Sequence, residues 1–171
     1  MLALKDGSSD AFEELFGRYR TAIWGYFWRR LSDSARAEEL AQEAFVAVLE
    51  GAGRYEQRAL FRTYLYGIAF NLLSAERRKR HNRPTEPLGD LNPAAAAANP
   101  DSELWVKRAL AQLEPSDREI VLLREYEQLS YAEIAELTGL SLNTVRTRLF
   151  RARLELRRLL MPEVEGRGSL Q

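Results

Sequence analysis

Residues 129–153, LSYAEIAELTGLSLNTVRTRLFRAR, constrain the fold more than any other stretch of the chain. Ser130 and Glu133 have the S-x-x-E spacing in which two side chains satisfy each other's backbone N–H groups at a helix start. Ile134, Ala135 and Leu137 give the following helix one apolar side, and a helix that short is stable only when docked on others. Gly139, inside Thr138-Gly139-Leu140, is free to take the positive φ of a tight interhelical turn. Ser141 can cap a second helix, with Val145, Leu149, Ala152 and Leu156 on one face. The opposite side carries Asn143, Arg146, Thr147, Phe150 and Arg151. This is the layout of a helix-turn-helix whose second helix reads a major groove. The alternative is an ordinary helical hairpin with a solvated arginine-rich face.

Charge distribution favours the first reading. Residues 143–158 hold six arginines (146, 148, 151, 153, 157 and 158) against one acid, Glu155, whereas residues 104–136 hold four basic residues against seven acidic ones. Positive charge is thus concentrated on one helix, as phosphate contact requires. Three residues after Ser141 stands Thr144 and not a carboxylate, so the helix start keeps N–H groups that a phosphate can accept. The whole chain has net charge zero, so only this local distribution speaks for nucleic acid.

Composition closes off several chemistries. The 171 residues include no cysteine, which excludes disulfides and thiolate metal sites and fits a reducing cytosol. His81 is the only histidine, so histidine clusters for metals and Ser-His-Asp triads are excluded. No cofactor is expected. The opening MLALKDGSSD is too short and too soon acidic for a signal peptide, and no apolar run approaches the roughly 20 residues of a membrane span.

Read in order, the chain shows helical patterns separated by short breaks and one longer linker. Asp10 and Glu13 mark a helix start, followed at helical spacing by Phe12, Leu15, Phe16, Tyr19, Ala22, Ile23, Tyr26 and Phe27. Trp24 and Trp28 lie largely off that stripe and read first as core aromatics. A second helix is predicted over 35–50, ended by Gly51-Ala52-Gly53. Its apolar stripe is Ala37, Leu40, Ala41, Ala44, Phe45 and Val48, and its other face holds Glu38, Glu39, Gln42 and Glu43. Taken alone, that patch is a solvated face. A long helix over 60–80 carries Phe61, Tyr64, Leu65, Ile68, Leu72 and Leu73 in register. It ends in Arg77-Arg78-Lys79-Arg80-His81-Asn82-Arg83, more cation than helix capping needs. Phe61, Tyr64, Tyr66 and Phe70 interleave with Arg62 and Asn71, a mixture that suits single-stranded nucleic acid, although aromatics at helical spacing are more often core.

Residues 84–103 hold four prolines and the run Ala94–Ala98 without a basic residue, and read as an acidic tether. An amphipathic helix over 105–113 follows. The next start is at Pro115, with Ser116 and Glu119 as a capping box and Ile120-Val121-Leu122-Leu123 as core. The expected architecture is therefore all-α. Two small helical domains, 1–83 and 104–171, are joined by a flexible linker, 84–103, and the second is a helix-turn-helix domain.

Taken together, four segments resemble the bacterial extracytoplasmic-function sigma factors of the sigma-70 family. DAFEELFGRYR (10–20) is similar to the opening helix and AEELAQEAF (37–45) to the core-polymerase-binding motif. FRTYLYGIAFNLLSAERRKR (61–80) resembles the promoter-melting and minus-ten helix, and 129–156 the minus-thirty-five reader. The family usually has Asp at the place of Glu39, Trp at Tyr64, Arg at Phe70 and often Asp at Ala75. The resemblance implies a protein that binds core RNA polymerase, directs it to promoter DNA and helps open the duplex, without bond chemistry of its own. It assigns Glu38, Glu39, Gln42, Glu43 and Phe45 to the polymerase clamp helices. It assigns Phe61, Arg62, Tyr64, Asn71, Arg77, Arg78 and Arg80 to minus-ten recognition and melting. Ser141, Asn143, Thr144, Arg146, Thr147, Phe150 and Arg151 fall to the minus-thirty-five element, with the domain resting on the polymerase flap. It also implies a cytoplasmic location, no membrane insertion and an anti-sigma protein as partner. A stand-alone helix-turn-helix regulator would explain 129–153 but not the acidic patch or the basic-aromatic helix. A mimic that binds only an anti-sigma protein would not need six arginines on its last helix.

Overall fold

The computed structural model describes residues 1–57, 60–81 and 100–161, and of 100–103 the backbone alone. Eight α-helices and no strand occur among them: α1 (Leu2–Lys5), α2 (Ser9–Leu31), α3 (Ser34–Gly51), α4 (Phe61–His81), α5 (Pro100–Gln112), α6 (Pro115–Glu125), α7 (Tyr131–Thr138) and α8 (Leu142–Leu160). A 3₁₀ turn, Ala52–Arg54, follows α3. The chain divides into two compact units, Met1–Asn92 and Pro93–Gln171. The expected tether falls, for 84–99, outside the described residues. Its last four residues are the first turn of α5, so the second helical unit starts before residue 104.

In the first unit α2, α3 and α4 pack on one another. The α3 stripe is buried as its spacing predicts: Ala37, Leu40, Ala41, Ala44, Phe45 and Val48 are all in the core. They meet Ile23, Tyr26 and Phe27 of α2, and Leu65, Tyr66, Ala69 and Leu73 of α4. At roughly 1.5–3 kcal/mol for each large side chain taken from water, this cluster dominates the unit's stability. Tyr26 packs edge-on against Phe27 with centroids 5.2 Å apart, and Tyr66 closes the set at 5.7 Å from Tyr26. Trp24 and Trp28, one turn apart, stack at 5.7 Å on the half-buried flank of α2.

Two features of the first unit differ from expectation. Ser8, not Asp10, caps α2, its hydroxyl accepting from the Ala11 N–H at 3.3 Å, and Asp10 lies inside the first turn. In α4 the buried stripe is Leu65, Tyr66, Ala69, Leu73 and Glu76, rotated from the one that the largest apolar residues suggest. The rotation follows from Glu76, a carboxylate that enters the core because two guanidinium groups meet it there.

In the second unit α6 is apolar on every side along Ile120–Leu123, all four residues being buried. It packs on α7 and α8, and α5 packs on α8. Glu114, not a Ser116–Glu119 box, caps α6, its carboxylate accepting from the Ser116 and Asp117 N–H groups at 3.0 and 3.2 Å. Pro115 explains the shift: proline belongs at the first helical position, which makes residue 114 the cap. Glu119 is buried instead. After α6, Gln128 turns the chain with φ 54°, and Arg124 holds the turn by donating to the Leu129 carbonyl at 2.9 Å.

Candidate nucleic-acid interface

The turn at 138–141 forms as its residues require. The Ser130 hydroxyl accepts from the Glu133 N–H at 3.2 Å, and the Glu133 carboxylate accepts from the Ser130 N–H at 2.7 Å. Gly139 has φ 70° and ends α7. Ser141 caps α8, accepting from the Thr144 N–H at 3.1 Å, while the two hydroxyls share a bond of 2.8 Å. Val145, Leu149 and Ala152 are buried against the rest of the unit, with Leu156 half-buried beyond them. On the other side Ser141, Asn143, Arg146, Thr147, Phe150 and Arg151 are all exposed, Phe150 at 63%. Thr144 is half-buried between the two sides.

The six arginines of α8 divide into two sets. Arg148, half-buried, donates to Ser116 and to the Asp117 carboxylate at 3.3 Å. Arg153 meets Glu125 at 2.6 Å and the Tyr131 hydroxyl at 3.4 Å, and Arg158 meets Glu155 at 2.6 Å. Arg146, Arg151 and Arg157 have no hydrogen-bond or ion partner among the described residues. So half of the positive charge that the sequence concentrates here faces acids of the same unit, and half faces outward.

On α4 the expected minus-ten residues do not share one surface. Tyr64, Asn71 and Arg78 are seven residues apart in turn, two helical turns each, and form one line opposite the buried stripe, with Asn71 and Arg78 exposed and Tyr64 half-buried. Phe61 sits beside that line. It packs edge-on against Tyr19 at 5.5 Å, and Tyr64 packs edge-on against Tyr55 at 5.1 Å, so each ring has one side in contact with the protein. The Tyr64 hydroxyl lies over Gly51 so closely that a Cβ there would be 2.6 Å away. Arg62 and Arg80 belong instead to the inward stripe that runs 62, 65, 69, 73, 76, 80. Arg80 donates to Glu76 at 3.1 Å and approaches Asp33 at 3.7 Å, so this exposed cation is partly engaged with acids of its own unit. Arg77 is exposed and engaged with other groups, whereas Arg78 is exposed and unpartnered among the described residues.

The five residues of α3 assigned to the clamp helices differ in exposure. Glu38, Glu39, Gln42 and Glu43 are exposed, with Gln42 donating to Glu38 at 3.3 Å. Phe45 is the correction: it is 3% exposed, edge-on to Phe16 at 4.9 Å and to Phe12 at 6.3 Å, and so lies in the core. The apolar contribution to this surface comes from Val46, 51% exposed, and Leu49, 44% exposed. A shallow groove of about 530 Å³ runs between Glu39, Glu43, Val46, Glu50 and Leu72. Val46 and Leu49 are legible in the sequence as apolar residues off the buried stripe. Arg36, which sequence reasoning misses as well, donates to Glu39 at 2.6 Å, to Glu43 at 3.2 Å and to Glu76 at 2.8 Å. Only its partners mark it, and one of them is forty residues away. These two guanidiniums, Arg36 first and Arg80 after it, hold the Glu76 carboxyl below the usual carboxylate range against the opposing effect of burial.

Comparison with known proteins agrees with this two-unit layout. The family described as "Sigma-70 region 2" matches residues 15–83, and that described as "Sigma-70, region 4" matches residues 103–156. The RNA polymerase sigma factor CarQ of Myxococcus xanthus is 38% identical over 165 residues, covering 94% of this chain and 95% of its own. The ECF RNA polymerase sigma factor SigM of Mycobacterium tuberculosis is 30% identical over 155 residues, covering 90% and 79%. Among solved structures, the fold is similar to that of CnrH in complex with the cytosolic domain of CnrY (TM-score 0.71, 24% identity, 94% of each chain). It is also similar to the sigma factor RpoE in complex with the anti-sigma factor NepR from Bartonella quintana (TM-score 0.73, 22% identity, 90% and 98%). The chain therefore belongs to the sigma-70 family of RNA polymerase sigma factors, in its extracytoplasmic-function group. Its function is in promoter-specific transcription initiation by RNA polymerase, and its relatives are regulatory factors rather than enzymes. Among the described residues no helix is long and apolar enough to cross a membrane.

Proposed function

We propose that the chain divides initiation among three surfaces. The exposed side of α8, with Asn143, Arg146, Thr147, Phe150 and Arg151, reads the minus-thirty-five element, and Ser141 and Thr144 at the helix start approach phosphate. The outward line Tyr64, Asn71 and Arg78, with Phe61 beside it and Arg77 near, takes the minus-ten element and the melted strand. Glu38, Glu39, Gln42 and Glu43, with Val46 and Leu49, dock on the polymerase clamp helices, while the second unit rests on the flap. Two functional domains, the second beginning with α5, accord with this division. Phe45 acts from inside the first unit, Arg62 is half-buried, and Arg80 stays exposed while bonded to Glu76. An anti-sigma protein holds the factor in reserve, a reading in keeping with the complex of RpoE with the anti-sigma factor NepR, and the site of action is the cytoplasm.

The observation that carries the reading is the partition of α8. Arg146 and Arg151 are exposed and uncommitted on the side opposite Val145 and Leu149, where a bidentate arginine–guanine pair is worth about 1–3 kcal/mol of discrimination. The strand-capture half rests on stacking, at about 1–3 kcal/mol per base. The test uses promoter complexes with core polymerase. Asn71→Ala and Tyr64→Ala are expected to form closed complexes but to open them poorly, as read by permanganate reactivity of thymines, and a pre-melted bubble template restores transcription. Normal opening of duplex DNA by both variants would return these side chains to packing alone.

A further inference from the structure

The two terminal nitrogens of Arg36 face different parts of the molecule. Nη1 lies 2.6 Å from a Glu39 oxygen and 3.2 Å from a Glu43 oxygen, both on the exposed face of α3. Nη2 lies 2.8 Å from an oxygen of Glu76, which is 8% exposed at the foot of α4. The other Glu76 oxygen accepts from Arg80 at 3.1 Å, and Arg80 reaches back to Asp33, the residue that caps α3. The Asp33 carboxylate in turn accepts from the Arg36 N–H at 2.9 Å. The result is a closed circuit that ties the start of α3 to the end of α4 and leaves one nitrogen to grip two surface carboxylates. A long glutamate side chain on a helix surface ordinarily samples several rotamers, and binding must then immobilise it. Here Glu39 and Glu43 are converged on one guanidinium, whose own position is fixed by a buried acid.

We propose that Arg36 is a positioning residue for polymerase docking: through Nη1 it holds Glu39 and Glu43 in the arrangement that the polymerase receives, while Nη2 on Glu76 keeps it from swinging away. The inference rests on the docking role given to Glu39 and Glu43 above. Lysine cannot replace it, because one ammonium group on a flexible stem cannot span three carboxylates as a planar fork does. Arg36→Lys leaves net charge unchanged, so its effect separates geometry from attraction.

The experiment measures affinity of the full chain for core polymerase by competition, at a temperature where circular dichroism shows each variant folded. Arg36→Lys is expected to bind roughly three- to tenfold more weakly, the size of immobilising one or two side chains on association, with its salt dependence unaltered. Arg36→Gln, which keeps length without charge, is the second variant and is expected to lose at least as much. Glu76→Gln removes the charge of the inter-helix pair but keeps a side-chain oxygen that can accept from Nη2, so Arg36 stays anchored; the variant is expected to lower the melting temperature and hold affinity within about twofold. In a Glu39→Gln/Glu43→Gln background the Arg36→Lys effect is expected to vanish. Parent-like affinity of Arg36→Lys overturns the proposal, as does a loss that persists in that background or is matched by Glu76→Gln, since each makes Arg36 merely structural. If Glu39→Gln/Glu43→Gln itself binds like the parent, the docking reading falls, and this inference falls with it.

Discussion

The two units use arginine in contrasting ways. In the first, Arg36 and Arg80 converge from different helices on Glu76, a carboxylate that is 8% exposed and has no other way to be in the core. In the second, Arg153 and Arg158 meet acids that remain 49% and 42% exposed, and three arginines of the same helix meet none among the described residues. The first arrangement sets the geometry of a packed helix pair. The second trims the charge of a helix that keeps those three arginines exposed and without partners among the described residues. Counting arginines therefore measures neither stability nor binding; what matters is which carboxylate lies within reach and how wet it is.

That contrast yields a ranked set of tests. Arg36→Ala strips Glu76 of its shorter contact inside the core and is expected to cost the first unit about 2–3 kcal/mol in urea unfolding, within the usual range for hydrogen bonds to charged groups. Arg153→Ala, by the same measurement, is expected to cost the second unit under about 1 kcal/mol. Equal costs would break the comparison. Next, Arg148→Ala is expected to cost about 1–2 kcal/mol and to weaken binding of all minus-thirty-five sequences alike, because it loosens α8 on α6. Arg151→Ala should leave stability within about 0.5 kcal/mol and relax preference at one or two bases.

The cores and the recognition turn are legible in the sequence alone. Ala37 through Val48 of α3 and Val145, Leu149 and Ala152 of α8 are apolar at helical spacing, and burial follows directly from that pattern. The cap at Ser130 and the turn at Gly139 are equally plain, because each rests on residues within three or four positions. What stays hidden depends on partners far along the chain. Nothing near Arg148 distinguishes it from Arg151, since its acid is Asp117, thirty-one residues earlier. Spacing alone sets the α4 stripe too far toward Phe61, because Glu76 reads as a surface residue until Arg36 is brought to it. For Phe45 two signals conflict: the motif points it outward and the apolar spacing inward, and the spacing is right. The Glu114 cap is readable from Pro115, although the neighbouring serine is the more familiar capping residue.

A smaller test concerns the tyrosine of the outward line. A methyl at Gly51 would sit 2.6 Å from the Tyr64 hydroxyl, so Gly51→Ala is expected to displace the ring and cost about 1 kcal/mol by thermal melting. With Tyr64→Phe in place the same change is expected to become neutral or stabilising by up to about 1 kcal/mol, since alanine outranks glycine in a helix. A cost unchanged by Tyr64→Phe would show that the hydroxyl is not what fills the space. The smallest effect is in pH. Glu76 titrates below its ordinary value of 4.5, with the Arg36 guanidinium the main cause. A lowered folded-state value contributes stability that is complete above the unfolded value and lost as pH falls through the folded one. Acid titration of stability should therefore fall more steeply below about pH 4.5 for the parent than for Glu76→Gln. Parallel titrations would mean that the pair contributes no differential proton binding.

The four consecutive buried residues of α6 set a clock for the second unit. A helix apolar all round cannot lift away on one side, so its amides near Ile120–Leu123 can exchange with solvent only when the whole unit opens. Helix α7 buries Ile134 alone, and its amides can exchange through a local opening that leaves α6 and α8 in place. Amide exchange should consequently show two rates in one small motif. The slow rate at α6 reports the unit's global stability. The faster rate at α7 reports how often the helix before α8 lets go.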